Sequence, residues 1–194
     1  MTTPRTWRAS VFIATSIDGY IALPDGDIDW LTDPPHEPRH VPSQPGEHPP
    51  PDYEQFTAGI SHLVMGRGTY DKVLTFDSWP YEAFRVLVLS TTLPDGDDPR
   101  ITVVRSTTDA QQLLDDDRAT GVYVDGGQVL TDFLRHGLVD ELTITRAPVI
   151  LGQGLPLFHD LPEQVRLVHR GTASLGAGMV STRYDVTRDD QHER

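Results

Sequence analysis

Two stretches of the sequence place glycines where an apolar segment leads into a predicted helix. The first is GRGT at residues 66–69, after LVM, and the second is DGGQ at residues 125–128, after VYV. The free N–H groups of a helix's first turn, together with the helix dipole, favour a bound anion by about 0.3–1 kcal/mol or more. Glycine lets a phosphate reach the backbone because it has no Cβ. Either junction alone could be a tight structural turn, whereas two on one sheet favour a nucleotide-type ligand.

The side chains near the first junction indicate which nucleotide is favoured. Thr69 offers a hydroxyl, and Arg67 offers a guanidinium that can hold a phosphate through two hydrogen bonds. The run is not a P-loop, and Asp71 stands where a G-x-G-x-x-G dinucleotide turn needs its third glycine. The next predicted strand ends in Ser90 and Thr91 instead of an acidic residue that would hold a free ribose hydroxyl. The hydroxyl groups of Ser90 and Thr91, together with Arg67, suit a 2′-phosphate. Because NADP carries this phosphate and NAD does not, the sequence favours NADP.

Asp125 is the ionisable residue of the second junction. It ends a central apolar strand beside the glycines, at the edge where open α/β sheets bind their ligands. Its carboxyl could touch a ligand, or it could cap the helix that follows. The sequence leaves both interpretations open.

Three histidines are candidates for metal binding, but their surroundings argue against it. His36, His40 and His48 lie in a segment that holds eight prolines from Pro34 to Pro51. Proline excludes a packed helix or a central strand there, so no helix aligns two of these histidines. The chain also has no cysteine to supply a thiolate. We therefore expect no metal site, and a loop this long is functional or disordered.

The composition narrows the class of protein. A chain of 194 residues with 37% hydrophobic and 23% charged content suits one globular domain. The net charge of −13 argues against nucleic acid as a partner, because binding it requires neutralised phosphates. No apolar run approaches the length of a membrane span, and the first residues do not resemble a signal peptide. We expect a cytoplasmic protein without disulfides.

The elements that must position these residues alternate along the middle of the chain. Strands are predicted around the apolar runs, and helices are predicted for DYEQFTAGI, GTYDKVLTF, TTDAQQLLDDD and QVLTDFLRHG. DELTITRAPVIL reads as one strand, and two late strands joined by SLGAG form a hairpin. The pattern predicts a single α/β domain over residues 7–187, with a mixed, mostly parallel central sheet flanked by helices and an antiparallel C-terminal hairpin. A proline-rich loop at 33–51 and a disordered tail at 188–194 complete it.

Five segments together resemble the dihydrofolate reductase superfamily. VFIATSIDGYIA, LVMGRGTYDKV, VLVLSTT, VYVDGGQVLTDFL and DELTITRAPVILGQGLPLF occur in the order found there. The chain is most similar to the reductase domain of the bacterial riboflavin-pathway deaminase/reductase and its stand-alone relatives, from about Trp7 to Val186. The most specific pieces are S-x-D-G-x-I-A and D-E-L…P-V-I-L-G-x-G-x-x-L-F. The resemblance implies a dihydrofolate reductase-like fold and NADPH-dependent hydride transfer.

The resemblance also assigns roles to residues of this sequence. It implies that Ala14 and Ile21 border the nicotinamide and that Trp30 contacts the cofactor. The residues it assigns to the adenosine-side phosphates are Gly66, Arg67, Thr69, Ser90 and Thr91, and those under the pyrophosphate are Gly126, Gly127 and Gln128. In folate reductases a glycine-glycine peptide at this point is cis. A cis bond is therefore expected at Asp125-Gly126 or Gly126-Gly127.

The proton donor and the substrate are assigned through the same resemblance. Asp125 stands where the riboflavin enzymes carry an acidic residue that touches substrate. The segment that carries the acid of folate reductases falls here in the proline-rich loop, which leaves Asp29 as the nearest other candidate. Arg39 is the only arginine of that loop, so basic residues for a ribityl phosphate are not evident.

We therefore expect an NADPH-dependent reductase that acts on a C=N or C=O bond of a small heterocyclic substrate. The activity it most resembles is 5-amino-6-(5-phosphoribosylamino)uracil reductase of riboflavin biosynthesis. The alternatives are a dihydrofolate reductase and, from another class, a non-catalytic NADP-binding protein. Relatives of the riboflavin type commonly pair, so a homodimer is expected, without nucleic acid or membrane partners.

Overall fold

The computed structural model describes residues 5–31 and 49–187. Residues 33–48 of the predicted proline-rich loop lie outside this range, and so does the predicted tail at 188–194. The interpretations of His36, Arg39, His40 and His48 fall on the same undescribed part.

The strands of the central sheet are arranged as the alternating pattern predicts. They are β1 (Arg8–Thr15), β3 (His62–Gly66), β4 (Arg85–Leu89), β5 (Ile101–Val104), β6 (Gly121–Asp125), β7 (Glu141–Arg146), β9 (Leu167–Ser174) and β10 (Val180–Val186). Their order in this 8-stranded sheet is β5-β4-β3-β6-β1-β7-β10-β9. Neighbours from β5 to β7 are parallel, and β10 is antiparallel to both β7 and β9. The fold is the predicted α/β class with an antiparallel C-terminal hairpin.

The remaining elements connect and cover this sheet. The helices are α1 (Tyr53–Thr57), α2 (Arg67–Val73), α3 (Thr107–Asp116) and α4 (Gly127–Arg135), and the short 3-10 turns are Asp29–Leu31 and Gly176–Gly178. Two short strands, β2 (Tyr20–Ala22) and β8 (Leu155–Pro156), pair antiparallel with each other. The strand predicted across DELTITRAPVIL is shorter than expected, because β7 already ends at Arg146.

Alternation along the strands divides the core between the two faces of the sheet. On β6, Val122 and Val124 join the cluster that includes Leu130 and Phe133 of α4. Tyr123, between them, points to the opposite face and joins the second cluster. Asp125 follows the same alternation as Tyr123, so the last side chain of β6 lies on that second face.

The two central strands separate before they end. β1 pairs with β6 only from Arg8↔Gly121 to Ser10↔Tyr123, but it pairs with β7 as far as Thr15↔Arg146. The second halves of β1 and β6 therefore border a crevice. The connection from β6 through α4 to β7 passes across β1, which makes this a switch point in the strand order. Open α/β sheets bind their ligands outside the carboxyl ends of strands at such a point.

Candidate active site

A cavity of about 700 Å³ lies along the carboxyl edge of the parallel strands. The first residues of α2, α3 and α4 all contribute to its wall. Ser106 caps α3 by accepting a hydrogen bond from the backbone N–H of Asp109. By contrast, the N-caps of α2 and α4 are Gly66 and Gly126, which make no side-chain cap hydrogen bond. First-turn N–H groups of α2 and α4 therefore remain for an external acceptor. We call this space the edge cavity.

Most of the predicted cofactor residues line the edge cavity. They are Ile21, Gly66, Arg67, Thr69, Ser90, Thr91, Gly126, Gly127 and Gln128. Segments that are well separated in the sequence thus meet at one space of the size of a small-molecule site. Ala14, Asp29, Trp30 and Asp125 are not among the lining residues.

The glycines of the two junctions serve different purposes. Gly126 has φ +89°, and a Cβ built on it would lie 2.6 Å from Thr69 Oγ1. A Cβ on Gly127 would lie 2.3 Å from the carbonyl oxygen of Pro156. These two glycines are therefore required by the fold itself. Gly68 differs, because a Cβ there would meet nothing within 4 Å, so the fold does not require glycine at this position of the cavity lining.

The expected cis peptide bond at the second junction is wrong. Throughout residues 5–31 and 49–187 every peptide bond is trans. The turn is made instead by Gly126, whose φ of +89° and ψ of 139° lie in a region that side chains rarely allow. The backbone N–H of Gly126 donates to Asp125 Oδ1 at 2.9 Å, which ties the carboxyl to the start of the turn.

Arg67 is placed at the edge cavity but is held by a neighbour. Its Nε donates to both carboxylate oxygens of Asp71, at 2.7 and 2.8 Å. The Arg67 side chain is 43% exposed and that of Asp71 is 50% exposed. An exposed pair of this kind contributes about 0–1 kcal/mol. An anionic ligand can therefore compete with Asp71 for the guanidinium.

A second arginine at the edge cavity was not predicted from the sequence. Arg105 donates from Nη1 to the carbonyl oxygens of Ser90 and Leu93, at 2.8 and 2.7 Å, and pairs with Asp95 at 2.9 Å. It therefore shapes the turn that carries Ser90 and Thr91. The available signal was a basic residue at the end of β5, directly before the Ser-Thr-Thr start of α3.

Asp125 lies beside the edge cavity in a region rich in phenol groups. Burial raises the pKa of Asp125 to about 6, and the hydrogen bond from the Gly126 N–H opposes that shift. The pKa values of Tyr53, Tyr81 and Tyr123 are raised as well, first by burial and next by the Asp125 carboxylate. A carboxyl with such a pKa can hold a proton near neutral pH and release it.

Aromatic rings next to Asp125 pack against one another, and two of them, Phe56 and Tyr123, are buried in the core. Phe12 of β1 lies 5.8 Å from Tyr53 and 5.1 Å from Phe56, measured between ring centroids, and Phe56 lies 5.0 Å from Tyr123. The Tyr123 hydroxyl donates to the carbonyl oxygen of Phe12 at 2.9 Å, which links β6 to β1 where their pairing has ended. We call these four residues the aromatic wall. Sequence reasoning missed it because its members come from three separate elements.

The other predicted residues lie on β1 and the first 3-10 turn. Ala14 is half-buried, two residues after Phe12 on β1. Asp29 is exposed, and its backbone N–H donates to Asp27 Oδ1 at 3.0 Å. Trp30 Nε1 is buried and has no hydrogen-bond partner among the residues that the structure describes. The roles of Ala14, Asp29 and Trp30 stay predictions.

The sheet order, the split between β1 and β6 and the glycine junctions define a dihydrofolate reductase-like fold of the riboflavin-reductase type. The chain belongs to the family of the RibD C-terminal domain, whose family model matches residues 10–181. The predicted resemblance and fold are thereby confirmed.

Individual relatives extend over nearly the whole chain. The uncharacterised Bacillus subtilis protein YwjB is 32% identical over 173 residues, which are 87% of this chain and 92% of that protein. A solved structure of a "Putative riboflavin biosynthesis protein" from Shewanella sp. PV-4 is 35% identical, with a TM-score of 0.76, and covers 93% of this chain and 99% of that one. Acinetobacter baumannii RibD shares the fold at 18% identity and a TM-score of 0.63, over 94% of this chain and 58% of that chain.

Two further features are absent from the residues that the structure describes. Within residues 5–31 and 49–187 there is no helix long and apolar enough to cross a membrane. The same ranges contain no group of three or more His, Cys, Asp or Glu side chains arranged to hold a metal ion.

Proposed function

We propose that this protein is an NADPH-dependent reductase that transfers a hydride to a C=N or C=O bond of a small heterocyclic substrate. Within the family, the activity it most resembles is 5-amino-6-(5-phosphoribosylamino)uracil reductase. One observation carries the proposal: a cavity walled by helix starts and glycines adjoins a carboxyl whose pKa is about 6, at one switch point of the sheet. The expected homodimer and cytoplasmic location stay predictions.

The residues of the edge cavity fit a dinucleotide phosphate. The start of α4 at Gly127 offers backbone N–H groups and no side chain, which suits a pyrophosphate. Arg67 and Thr69 would hold a phosphate on the adenosine side, and Ser90 and Thr91 would flank it. NADPH supplies the hydride when it is bound. The protein's part is to fix the cofactor's position relative to the substrate.

Asp125 would supply the proton that must accompany the hydride. Reduction of a C=N or C=O bond adds a hydride to carbon and a proton to nitrogen or oxygen. With a pKa of about 6, Asp125 holds a proton for part of the time near neutral pH. Its position on the crevice side of β6, past the last β1–β6 pair, would direct that proton toward a substrate at the crevice.

Replacing Gly68 by alanine tests the cofactor site directly. A Cβ at Gly68 meets no protein atom within 4 Å, and alanine is favoured over glycine inside α2. We expect Gly68→Ala to weaken NADPH binding at least about tenfold, or by about 1.4 kcal/mol, without lowering the melting temperature. Calorimetric titration with NADPH and a thermal melt measure the two effects.

Gly59→Ala is the matched control, because its Cβ would also meet nothing within 4 Å and it does not line the edge cavity. It should bind NADPH as the wild type does. Wild-type affinity in Gly68→Ala would remove the cofactor from this cavity. Tight NADPH binding without oxidation against any pteridine or aminouracil would indicate the non-catalytic binding protein instead.

A further inference from the structure

We infer that Asp18 is a positioning residue for the edge cavity, because its carboxylate holds the loop at residues 147–154 against the turn between β1 and β2. This loop leads directly into β8, whose residues Leu155 and Pro156 line the cavity. Asp18 itself is not among the described residues that line it. The inference rests on the proposed cofactor site and adds a residue that acts on that site from outside.

Both oxygens of the Asp18 carboxylate bind the loop. Oδ1 accepts a hydrogen bond from the backbone N–H of Leu151 at 3.1 Å, and Oδ2 accepts one from the N–H of Gly152 at 2.7 Å. The Ser16 hydroxyl lowers the pKa of Asp18 most, and the N–H groups of Gly152 and Leu151 lower it further. Asp18 is therefore ionised at neutral pH, and hydrogen bonds to an ionised acceptor are stronger than those between neutral groups.

Backbone contacts on either side show what the carboxylate adds. The N–H of Ile17 donates to the carbonyl oxygen of Val149 at 2.8 Å, and the N–H of Leu157 donates to that of Gly19 at 2.9 Å. Asp18 lies between Ile17 and Gly19 in the turn. Its two hydrogen bonds therefore reach the middle of the loop, between these two backbone contacts.

Packing alone does not hold the middle of the loop. Ile150 is 73% exposed and Leu155 is 44% exposed, so neither side chain gains much from burial. The loop nevertheless passes close to β2, because a Cβ on Gly154 would lie 2.3 Å from the carbonyl oxygen of Ala22. The strand β8 that follows has only two residues, and a two-stranded ribbon is marginally stable by itself. The hydrogen bonds of Asp18 therefore restrain a segment that is otherwise weakly held.

The wall that this loop positions lies at the nicotinamide side of the proposed cofactor site. Ile21 of β2 lines the edge cavity together with Leu155 and Pro156 of β8, the strand that pairs with β2. A Cβ on Gly127 would lie 2.3 Å from the carbonyl oxygen of Pro156, so the same wall meets the start of α4. The residues proposed for the adenosine side belong to α2 and to the turn after β4. A shift of the loop should therefore change the nicotinamide and pyrophosphate part of the site and leave the adenosine part unchanged.

Asp18→Asn tests the inference, because asparagine keeps the shape of the side chain but replaces one accepting oxygen by an amide that cannot accept. Binding of NADPH is compared by calorimetry with binding of adenosine 2′-phosphate, which lacks both the pyrophosphate and the nicotinamide. We expect Asp18→Asn to weaken NADPH binding at least about tenfold and to leave adenosine 2′-phosphate binding unchanged. A purely structural role would lower the melting temperature and keep the two affinities in their wild-type ratio. Equal losses for the two compounds, or no loss for NADPH, would overturn the inference.

Asp25→Asn is the matched control. Asp25 is also exposed and accepts a backbone N–H, that of Asp27 at 3.1 Å, but this hydrogen bond stays within its own turn. The control should bind NADPH and adenosine 2′-phosphate as the wild type does. A loss of NADPH affinity as large as that of Asp18→Asn would show that the effect is not specific to the loop, and would contradict the role of Asp18.

Hydrogen exchange measures the loop directly, without the cofactor. In Asp18→Asn the amides of Leu151 and Gly152 should exchange faster than in the wild type, while those of β6 keep their rate. Unchanged exchange over residues 147–157 would overturn the inference even if NADPH binding fell. Failure of the wild type to bind NADPH would overturn the proposed function instead, and hydrogen exchange would then decide whether Asp18 holds the loop.

Discussion

The edge cavity lies at the carboxyl edge of the sheet and the aromatic wall packs on one of its faces, and the two are built in different ways. The cavity is built from short runs, at residues 66–69, 90–92 and 126–129, in which a strand end is followed at once by a turn or a helix start. The wall is built from side chains of β1, α1 and β6 that no local motif connects. Binding through backbone N–H groups requires a local motif, whereas binding through side-chain faces requires only neighbours in space.

The largest effect is expected where the two regions meet. Asp125→Asn keeps the shape of the side chain but removes the acid, so kcat should fall about 100-fold or more, the usual range for a general acid. NADPH affinity should hardly change, because Asp125 does not line the edge cavity. Asp29→Asn is the control, since Asp29 is exposed and was the other candidate. A larger loss in Asp29→Asn would move the proton donor to that residue.

The same carboxyl should determine the pH dependence of turnover. A general acid works in its protonated form, and the pKa of Asp125 is raised to about 6. With the wild type, kcat should therefore be highest below pH 6 and fall as pH rises through that value. The residual rate of Asp125→Asn should not change over this window. A wild-type kcat that rises with pH across the same window would exclude Asp125 as the acid.

An intermediate effect is expected from Arg67, on the cavity side alone. Arg67→Ala should weaken NADPH by about 1.5–3 kcal/mol, the usual contribution of a hydrogen bond to a charged group, and NADH much less. Parallel titrations with the two cofactors measure the difference. Arg170→Ala on β9 removes an equally exposed paired arginine away from the cavity and should change neither titration. Equal losses for NADPH and NADH in Arg67→Ala would remove its assignment to the 2′-phosphate.

The smallest expected effect, also on the cavity side, is on stability. Gly126→Ala forces a side chain into φ +89° and against Thr69 Oγ1, so it should destabilise the fold by about 1–3 kcal/mol in urea unfolding. Combining it with Thr69→Ser, which keeps the hydroxyl, should restore little, because the backbone strain remains. A fully stable Gly126→Ala protein would show that this turn can relax. Gly126 is thus required by the fold, in addition to any role in ligand binding, whereas Gly68 is not.

Particular residues show how much of the site could be predicted from the sequence. The run at 66–69 and the pair Gly126-Gly127 were recognised because strand, turn and helix are consecutive there, and they do meet at one cavity. Arg105 was missed, although its place before α3 was visible, because nothing local shows that it reaches back to Ser90 and Leu93. The expected cis bond was wrong because the path of the backbone through the turn is fixed by φ at Gly126, which the residue type permits but does not choose.

The sequence by itself determined the elements, their mostly parallel arrangement and the two glycine junctions, since these depend on periodicity and on residue types within a few positions. Only the tertiary structure decided that β1 and β6 separate after Ser10 and Tyr123, that Phe12 meets the rings of α1, and that Asp125 has a raised pKa. The separation depends on where ladder pairing stops between distant segments. The raised pKa depends on how much water the surrounding packing leaves at the carboxyl. Both are properties of neighbours in space, which a local motif does not specify.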